Sequence, residues 1–352
     1  MTVAAERAVD ELKRGRAVVV EGERERLAVL AVELASDADL LAFEQEMRAD
    51  LLITDKRAAT LSLANQRAAA GMRAVRLVRP PWVDAAGAVA VADPVLDLRE
   101  PMKGPFETVT MDDAEAAASA LQAAKYAGLL PALFVRPAAA GEKLLSVRVA
   151  DISAYRAADT LKELGRAKLP LKGAKDTRVA AFRSPGGPEH LALLIGAWAE
   201  KDAPLTRLHS ACLTGDVLGS LKCDCGDQLR ASIEAISADG GGIVLYLQQE
   251  GRGIGLMNKL RAYALQDQGF DTVDANLRLG FEVDERDFGI AASMLRQLGT
   301  ERIRLLTNNP EKVGGLADED IEVIERVPLI AGHGPLNEAY LRTKRDRTGH
   351  QL

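Results

Sequence analysis

The chain has three cysteines, Cys212, Cys223 and Cys225, and all fall inside RLHSACLTGDVLGSLKCDCGDQ (207–228) at a Cys-x10-Cys-x-Cys spacing. Thiolates this close together select zinc or an iron–sulfur cluster over magnesium or calcium. A structural zinc site closes with four protein ligands, whereas a catalytic one keeps three and leaves the fourth position to water. With no fourth cysteine in the sequence, the triplet reads as an open site, and His209 is the one nearby residue that could close it. Open zinc lowers the pKa of a water from about 15.7 to about 7, which provides hydroxide at neutral pH. The plain alternative is three small buried apolar residues, and it leaves their confinement to one short stretch unexplained. An odd number of cysteines also argues against a disulfide framework.

Three other stretches carry weaker signals. GIVLYLQQ (242–249) runs into EGRGIG (250–255) and then into a helical pattern ended by Gly269. A strand, a glycine turn and a helix N-terminus together present free N–H groups and a positive dipole end to an anion. Arg252 adds a planar phosphate donor. Leu256 stands where a dinucleotide fingerprint has its third glycine, so this is not that motif, and a purely structural turn would look the same. Helical spacing puts Leu256, Leu260, Tyr263 and Ala264 on one buried face, which makes Tyr263 a core aromatic by default. In GFEVDERDFG (280–289), Asp284 before a helix and Asp287 three residues on read locally as an N-cap with an acidic first turn. Arg286 is then a solvated neighbour. Behind RIRLL (302–306), the turn Thr307-Asn308-Asn309-Pro310 with Lys312 could meet phosphate or a base, as could many polar turns.

The elements that must position these residues fall into two halves, as expected for 352 residues,. In the first, helices are predicted over 3–13, from Asp37, from Asp112 and Asp113 to Gly128, and over 157–164. Strands are predicted at 17–22, 27–35, 51–54 and 144–150, and the alanine-rich stretch 57–98 reads as β pieces joined by loops. RAKLPLKGAKDTR (166–178), basic and with Pro170 and Gly173, reads as a linker,. Beyond it, strands at 190–199, 205–210, 242–248 and 302–307 alternate with helices near 227–238, 256–268 and 285–298. That alternation predicts a three-layer α/β arrangement with chemistry on the loops. A net charge of −6 speaks against nucleic-acid or acidic-membrane partners,. The N-terminus lacks a signal-peptide core, and no apolar run spans a membrane. Three cysteines cannot all pair, which fits a reduced, cytoplasmic setting,.

From about residue 172 to the C-terminus, the blocks RLHSACLTGDVLGSLKCDCGDQL, LYLQQEGRGIGLMNKLRAYALQDQGFDTVDAN, LGFEVDERDFG, RLLTNNPEKV and ERVPL resemble the GTP cyclohydrolase II family in order and spacing. These zinc enzymes open the guanine ring in the first step of riboflavin synthesis. The resemblance implies one zinc per subunit on Cys212, Cys223 and Cys225, with Mg2+ accompanying the GTP triphosphate. It implies a nucleotide site of Arg207, His209, Ser210, Gln228, Glu250, Gly251, Arg252, Thr272, Thr307 and Lys312, with Gln228 on the purine. Asp284 would be the proton acceptor, Arg286 the nucleophile at the α-phosphorus and Tyr263 an active-site tyrosine. Hydroxide would attack C8, and formate and pyrophosphate would leave. The family is dimeric, so a homodimer is expected. Two departures stand out: Ala211 where glutamate is common, and Gln248 where arginine is usual.

The opening ERAVDELKRGRAVVVEGERER is similar to the dihydroxybutanone-phosphate synthase domain that precedes cyclohydrolase II in fused proteins. Where that domain has an acidic Mg2+ loop like DRENEGD, this chain has EGERERLAVL, and no histidine precedes His190. The expectation is α/β (α+β): a degenerate synthase-like α+β domain at 1–171, then a cyclohydrolase II domain at 172–352 with a three-layer α/β fold and mixed sheet. The competing readings are a bifunctional enzyme, a homologue with altered product or nucleotide, and a non-catalytic nucleotide-binding module.

Overall fold

The computed structural model describes residues 3–351, apart from 46, 64, 67, 156, 333, 335, 336 and 350. The chain forms two compact units, Met1–Tyr155 with Met257–Asp284, and Arg156–Leu256 with Glu285–Leu352. This division differs from two consecutive blocks, because a piece of the second half folds into the first unit.

The first unit is built on β1 (Val18–Glu21), β2 (Arg26–Ala31), β3 (Asp50–Thr54), β4 (Ala74–Leu77), β5 (Thr108–Val109), β6 (Ala132–Pro137) and β7 (Leu145–Arg148), in the order β5-β4-β3-β6-β2-β1-β7. Among the described residues of this unit only β1 and β7 pair in parallel. Its N-terminal portion contributes helices α1 (Val3–Lys13), α2 (Asp37–Phe43), α3 (Asp55–Thr60), α4 (Ala85–Ala92), α5 (Ala114–Tyr126) and α6 (Val149–Ser153). Ala8 and Leu12 of α1 and the alanine face of α5 pack on Val18, Val20, Leu27 and Val29. Between 57 and 98 one of the expected β pieces forms, β4, and the other regular elements are short helices joined by turns. Thr54 and Asp84 accept from the N–H groups of Arg57 and Gly87, capping α3 and α4, and alanine sustains the turns that follow,. The buried central strand β6 was not expected.

The second unit holds β8 (Lys162–Lys168), β9 (Thr177–Arg183), β10 (Glu189–Gly196), β11 (Leu205–Ser210), β12 (Gly241–Leu247), β13 (Arg302–Leu306) and β14 (Glu322–Val327), ordered β14-β13-β11-β12-β10-β9-β8. Strands β14, β13, β11 and β12 run parallel and the rest antiparallel, giving the expected mixed sheet. The later helices are α7 (Cys225–Ala238), α8 (Gly255–Asp267), α9 (Thr272–Arg278), α10 (Phe288–Gln297), α11 (Pro310–Ala317) and α12 (Glu338–Thr348). Leu194, Leu208, Ile243 and Leu245 face Ile290, Met294 and Leu295 of α10. Leu193, Ile195, Leu205 and Val244 face Ile236 of α7. Successive strand residues thus point to opposite helix layers, and the three layers follow.

Two expectations fail here. The helix at 157–164 is a single 3-10 turn, Ala157–Thr160, followed by β8. The linker at 166–178 is instead the β8–β9 hairpin. As an edge strand β8 is mostly exposed, so its sequence shows no apolar period,.

His190 on β10 is 2% exposed. Its Nδ1 accepts from the Gln248 N–H at 3.1 Å, and burial pushes its pKa down from 6.5 to about 4. Between those values the unfolded chain binds a proton that the native one refuses, so stability falls as pH drops through the window. The full loss is about 3 kcal/mol, and about 2 kcal/mol of it arises by pH 5. His190→Asn keeps an acceptor but cannot titrate. Urea unfolding at pH 7 and pH 5 is expected to show a smaller pH penalty in the variant, by about 2 kcal/mol; parallel losses in both proteins would contradict this role.

Candidate active site and metal centre

Strand β11 lies between β12 and β13 in the middle of the second sheet. Its odd residues Leu205, Arg207 and His209 share the face toward α7, while Leu208 points into the core under α10,. Arg207 and His209 are buried at 6% and 3% exposure. Arg207 Nη1 donates to Leu306 O at 3.0 Å, and Nη2 donates to Oε1 of Gln228 on the first turns of α7. Gln228 in turn donates to the buried Asp224 at 2.6 Å. Burial pulls the Arg207 guanidinium down to about 10, with Asp224 and Cys225 opposing and Arg286 reinforcing the shift. It stays charged at neutral pH. Its Nε and the Nδ1 of His209 are buried with no hydrogen-bond partner. Such atoms cost stability unless a ligand satisfies them.

Past β11 a single π-helical turn, Leu213–Val217, folds the first cysteine back toward the other two. The three Sγ atoms lie within 4.8 Å of one another, and among the described residues no other histidine, cysteine or acidic group joins them. Gly215 lets them converge. A Cβ there would lie 2.8 Å from Cys223 Sγ, 3.1 Å from Cys212 Sγ and 3.0 Å from Cys225 Cβ. Its N–H donates to Cys212 Sγ at 3.2 Å, and Cys225 opens α7, where the helix dipole favours a thiolate,. The thiol of Cys225 is nevertheless pushed well above its usual range, first by hydrogen bonding to Cys212 and then to Cys223, with burial adding to both. Three crowded thiols resist ionising together unless a cation is present, so the donor set fits a thiophilic metal.

His209 does not close this set. Its Nε2 lies 3.0 Å from the carboxylate of Asp216, and burial keeps the ring's pKa low. Asp216 is the hub that sequence reading missed. It accepts from the Cys212 N–H and from the Tyr246 hydroxyl, both at 3.0 Å, and Tyr246 stacks on His209 at 5.6 Å. Burial, then the charge of Asp216, raises the Tyr246 pKa, so its hydroxyl stays a donor. A lone aspartate four residues after a cysteine carries no signal in sequence. Only the fold shows that it ties the first thiol to the histidine.

The glycine turn closes the other side of this unit's site. Gly251, Arg252, Gly253 and Gly255 all have positive φ, an unusual conformation for Arg252,. Glu250 accepts from the Leu213 N–H at 3.0 Å, tying the turn to the cysteine loop. The Glu285 N–H donates to Arg252 O at 2.9 Å, and a Cβ on Gly253 would lie 2.5 Å from Glu285 O. The backbone before Arg286 therefore rests on the glycine turn. The cap of α10 is Asp287, which accepts from the Gly289 N–H at 2.8 Å, so Asp284 is not the N-cap. Lys312, 7% exposed, reaches Leu208 O at 2.7 Å. Thr307 Oγ1 accepts from the Asn309 N–H at 3.0 Å. Ser210 ends β11, and the adjoining Ala211 is buried, its N–H on Leu247 O at 2.7 Å.

Tyr263, Thr272 and Asp284 belong to the first unit. Lys259 Nζ lies 5.5 Å from the Tyr263 ring, and Thr272 Oγ1 accepts from Gln266 at 3.1 Å. The buried residues of α8 are Asn258, Lys259, Ala262 and Leu265. The expected face of Leu256, Leu260, Tyr263 and Ala264 is not the one that packs, and Leu260 is exposed.

Residues 162–328 match the GTP cyclohydrolase II family model. A GTP cyclohydrolase-2 from Azospirillum brasilense is 46% identical over 372 residues, covering 100% of this chain and 96% of that protein. One from Shigella boydii serotype 18 is 53% identical over 192 residues, 54% of this chain and 98% of its own. A solved two-domain 3,4-dihydroxy-2-butanone 4-phosphate synthase from A. baumannii overlaps 93% of this chain and 99% of its own, at 18% identity and a TM-score of 0.34, too low to carry an argument.

Proposed function

The chain belongs to the GTP cyclohydrolase II family and carries that activity in riboflavin biosynthesis, and we propose that its thiol triad and its cationic strand ends divide the reaction. The observation that carries this is the convergence of Cys212, Cys223 and Cys225 around Gly215 beside two buried, unpartnered nitrogens on β11. Cys212, Cys223 and Cys225 would hold one zinc per subunit, which when bound would supply a water of pKa about 7,.

The chain's own groups do the rest. Arg207 and Gln228, hydrogen-bonded to each other, offer the purine a preset pair of polar edges. With Nε2–H directed at Asp216, His209 keeps Nδ1 as an acceptor for a proton near the imidazole ring of GTP. Two hydrolyses at C8 release the carbon as formate, and one at the α-phosphorus releases pyrophosphate. Arg252, Arg286, Lys312, the Thr307 hydroxyl, the Ser210 and Thr272 hydroxyls and the N–H of Gly251 bind the ribose and triphosphate, which arrives with Mg2+, while Glu250 holds the turn in place. Asp284 accepts a proton and Tyr263 donates one. A guanidinium stays protonated at neutral pH, so Arg286 serves better by stabilising charge on the phosphoryl group than as a nucleophile.

The N-terminal portion is a degenerate synthase-like domain without its own turnover. The departure of EGERERLAVL from the synthase's acidic loop, and the lack of any histidine before His190, support this reading,. The family pattern and the exposed Val217, Leu218 and Leu221 support a homodimer. Among the described residues no helix is long and apolar enough to cross a membrane, and three cysteines, which cannot all form disulfides, support a cytoplasmic setting,.

The test is a product balance. Zinc-loaded protein with GTP and Mg2+ is expected to give formate, pyrophosphate and a diaminopyrimidine nucleotide in equal amounts. A formylated product would point instead to a homologue that stops early, and intact GTP would sink the reading. Ribulose 5-phosphate in a parallel tube is expected to remain unchanged.

A further inference from the structure

Three segments of the second unit meet at one carboxylate, Asp216. His209 on β11 and Tyr246 on β12 are partners across the sheet, so their rings leave the same face and stack at 5.6 Å, 14° from parallel,. The π-helical turn Leu213–Val217 brings Asp216 onto both rings. Its Oδ2 accepts from the Tyr246 hydroxyl and from the Cys212 N–H, each at 3.0 Å. His209 Nε2 lies 3.1 Å from Oδ1 and 3.0 Å from Oδ2.

A buried carboxylate is costly unless donors surround it, and a plain loop staple would need only the bonds to Cys212 and Tyr246. The histidine is the part a staple does not explain. The side chains of His209 and Asp216 are both 3% exposed, and the second ring nitrogen, Nδ1, is buried with no partner. A carboxylate has no hydrogen to give, so the ring hydrogen sits on the nitrogen it faces. The other nitrogen is left with its lone pair.

We propose that Asp216 is a positioning residue for GTP hydrolysis. It holds His209 in the Nε2–H form, with the Nδ1 lone pair open to a proton, and fastens that ring to the Cys212 loop. The proton acceptor and the thiol triad then keep one spacing whether or not nucleotide is bound. The inference rests on the role given to His209 above.

Asp216→Asn separates the two jobs. An amide oxygen at the Oδ2 position still accepts from Cys212 and Tyr246. The amide nitrogen at the Oδ1 position donates to His209 Nε2 and drives the ring hydrogen to Nδ1. The variant is expected to fold and to bind zinc at the wild-type stoichiometry, while kcat falls by roughly 100-fold or more with a smaller change in KM. Nitrogen-15 spectra of the zinc-loaded protein without GTP read the tautomer directly, the His209 signals being assigned by their loss in His209→Asn. They are expected to show Nε2–H in the wild type and Nδ1–H in Asp216→Asn. Asp216→Glu, a carboxylate on a longer arm, is expected to restore the Nε2–H form and part of kcat. Wild-type kcat in Asp216→Asn with the tautomer reversed overturns the positioning role, as does a fall in kcat that tracks lost zinc with the tautomer unchanged. Should Asp216→Asn fail to fold, the wild-type spectrum decides alone: Nε2–H supports the role, and Nδ1–H or a doubly protonated ring at neutral pH overturns it. A wild-type chain that releases no formate overturns the proposed site instead, and the spectrum still reports what Asp216 does to the ring.

Discussion

Cys223→Ser is expected to release no formate from GTP and to lose its metal. A serine hydroxyl does not ionise near neutral pH and is a hard oxygen donor, so it cannot replace a thiolate toward a thiophilic ion. The remaining pair, Cys212 and Cys225, then has two anchors where three converged. The alternative, cysteine as filler, makes a different forecast. Cys223 is 8% exposed, and trading sulfur for oxygen in a merely packed position costs about 1–2 kcal/mol, with activity intact,. Formate assay and elemental analysis on the same sample separate the two. Wild-type turnover in a soluble Cys223→Ser protein would refute the metal role of the triad.

Gly253→Ala is expected to do the reverse: keep the metal and lose the reaction. At φ +95° any side chain is strained. The added Cβ would meet backbone, 2.5 Å from Glu285 O and 3.0 Å from Arg286 N, so no flexible side chain can swing aside. Either the glycine turn or the backbone of Arg286 must move. Strain of this kind costs about 1–3 kcal/mol, less than the roughly 5–15 kcal/mol that holds a domain folded. The variant should therefore fold and bind zinc at wild-type stoichiometry, while GTP turnover falls about 100-fold through misplacement of Arg286 and its neighbours. Turnover within a factor of two of wild type would show that the contact between the turn and Glu285 positions nothing.

These two variants also mark what could be read in advance. The thiol triad was legible because metal chemistry is written in residue type and count, and no fourth cysteine was there to close it. The mixed sheet of the second unit was legible from its alternating strands and helices. Asp216 and Tyr246 were not, because their role exists only once β11, β12 and the π-helical turn bring them against His209 and Cys212. Gly215 was equally silent, since nothing in a string tells which glycine the three sulfurs will surround.

Misreadings had physical causes too. Strand β8 looked like a linker because an exposed edge strand needs no apolar period. Helical spacing puts Leu256, Leu260, Tyr263 and Ala264 on the buried face of α8, yet the helix buries Asn258, Lys259, Ala262 and Leu265 and sends Arg261 to a pair of carboxylates. Periodicity measures apolar stripes and is blind to a helix held by polar contacts. For the same reason nothing in the sequence announced that 257–284 folds with the N-terminal portion. Local pattern favours Asp284 as the cap of α10, whereas Asp287 caps it.

If a metal on Cys212, Cys223 and Cys225 is what the ring opening needs, formate release must follow zinc occupancy in a titration,. Protein stripped with a chelator is mixed with GTP and Mg2+, and formate release is followed as zinc is added stepwise. Release should be absent at the start, rise in proportion to bound zinc and level off at one ion per chain. Full formate release from the stripped protein, or none at any zinc content in a folded one, would rule out a catalytic metal on the three thiols.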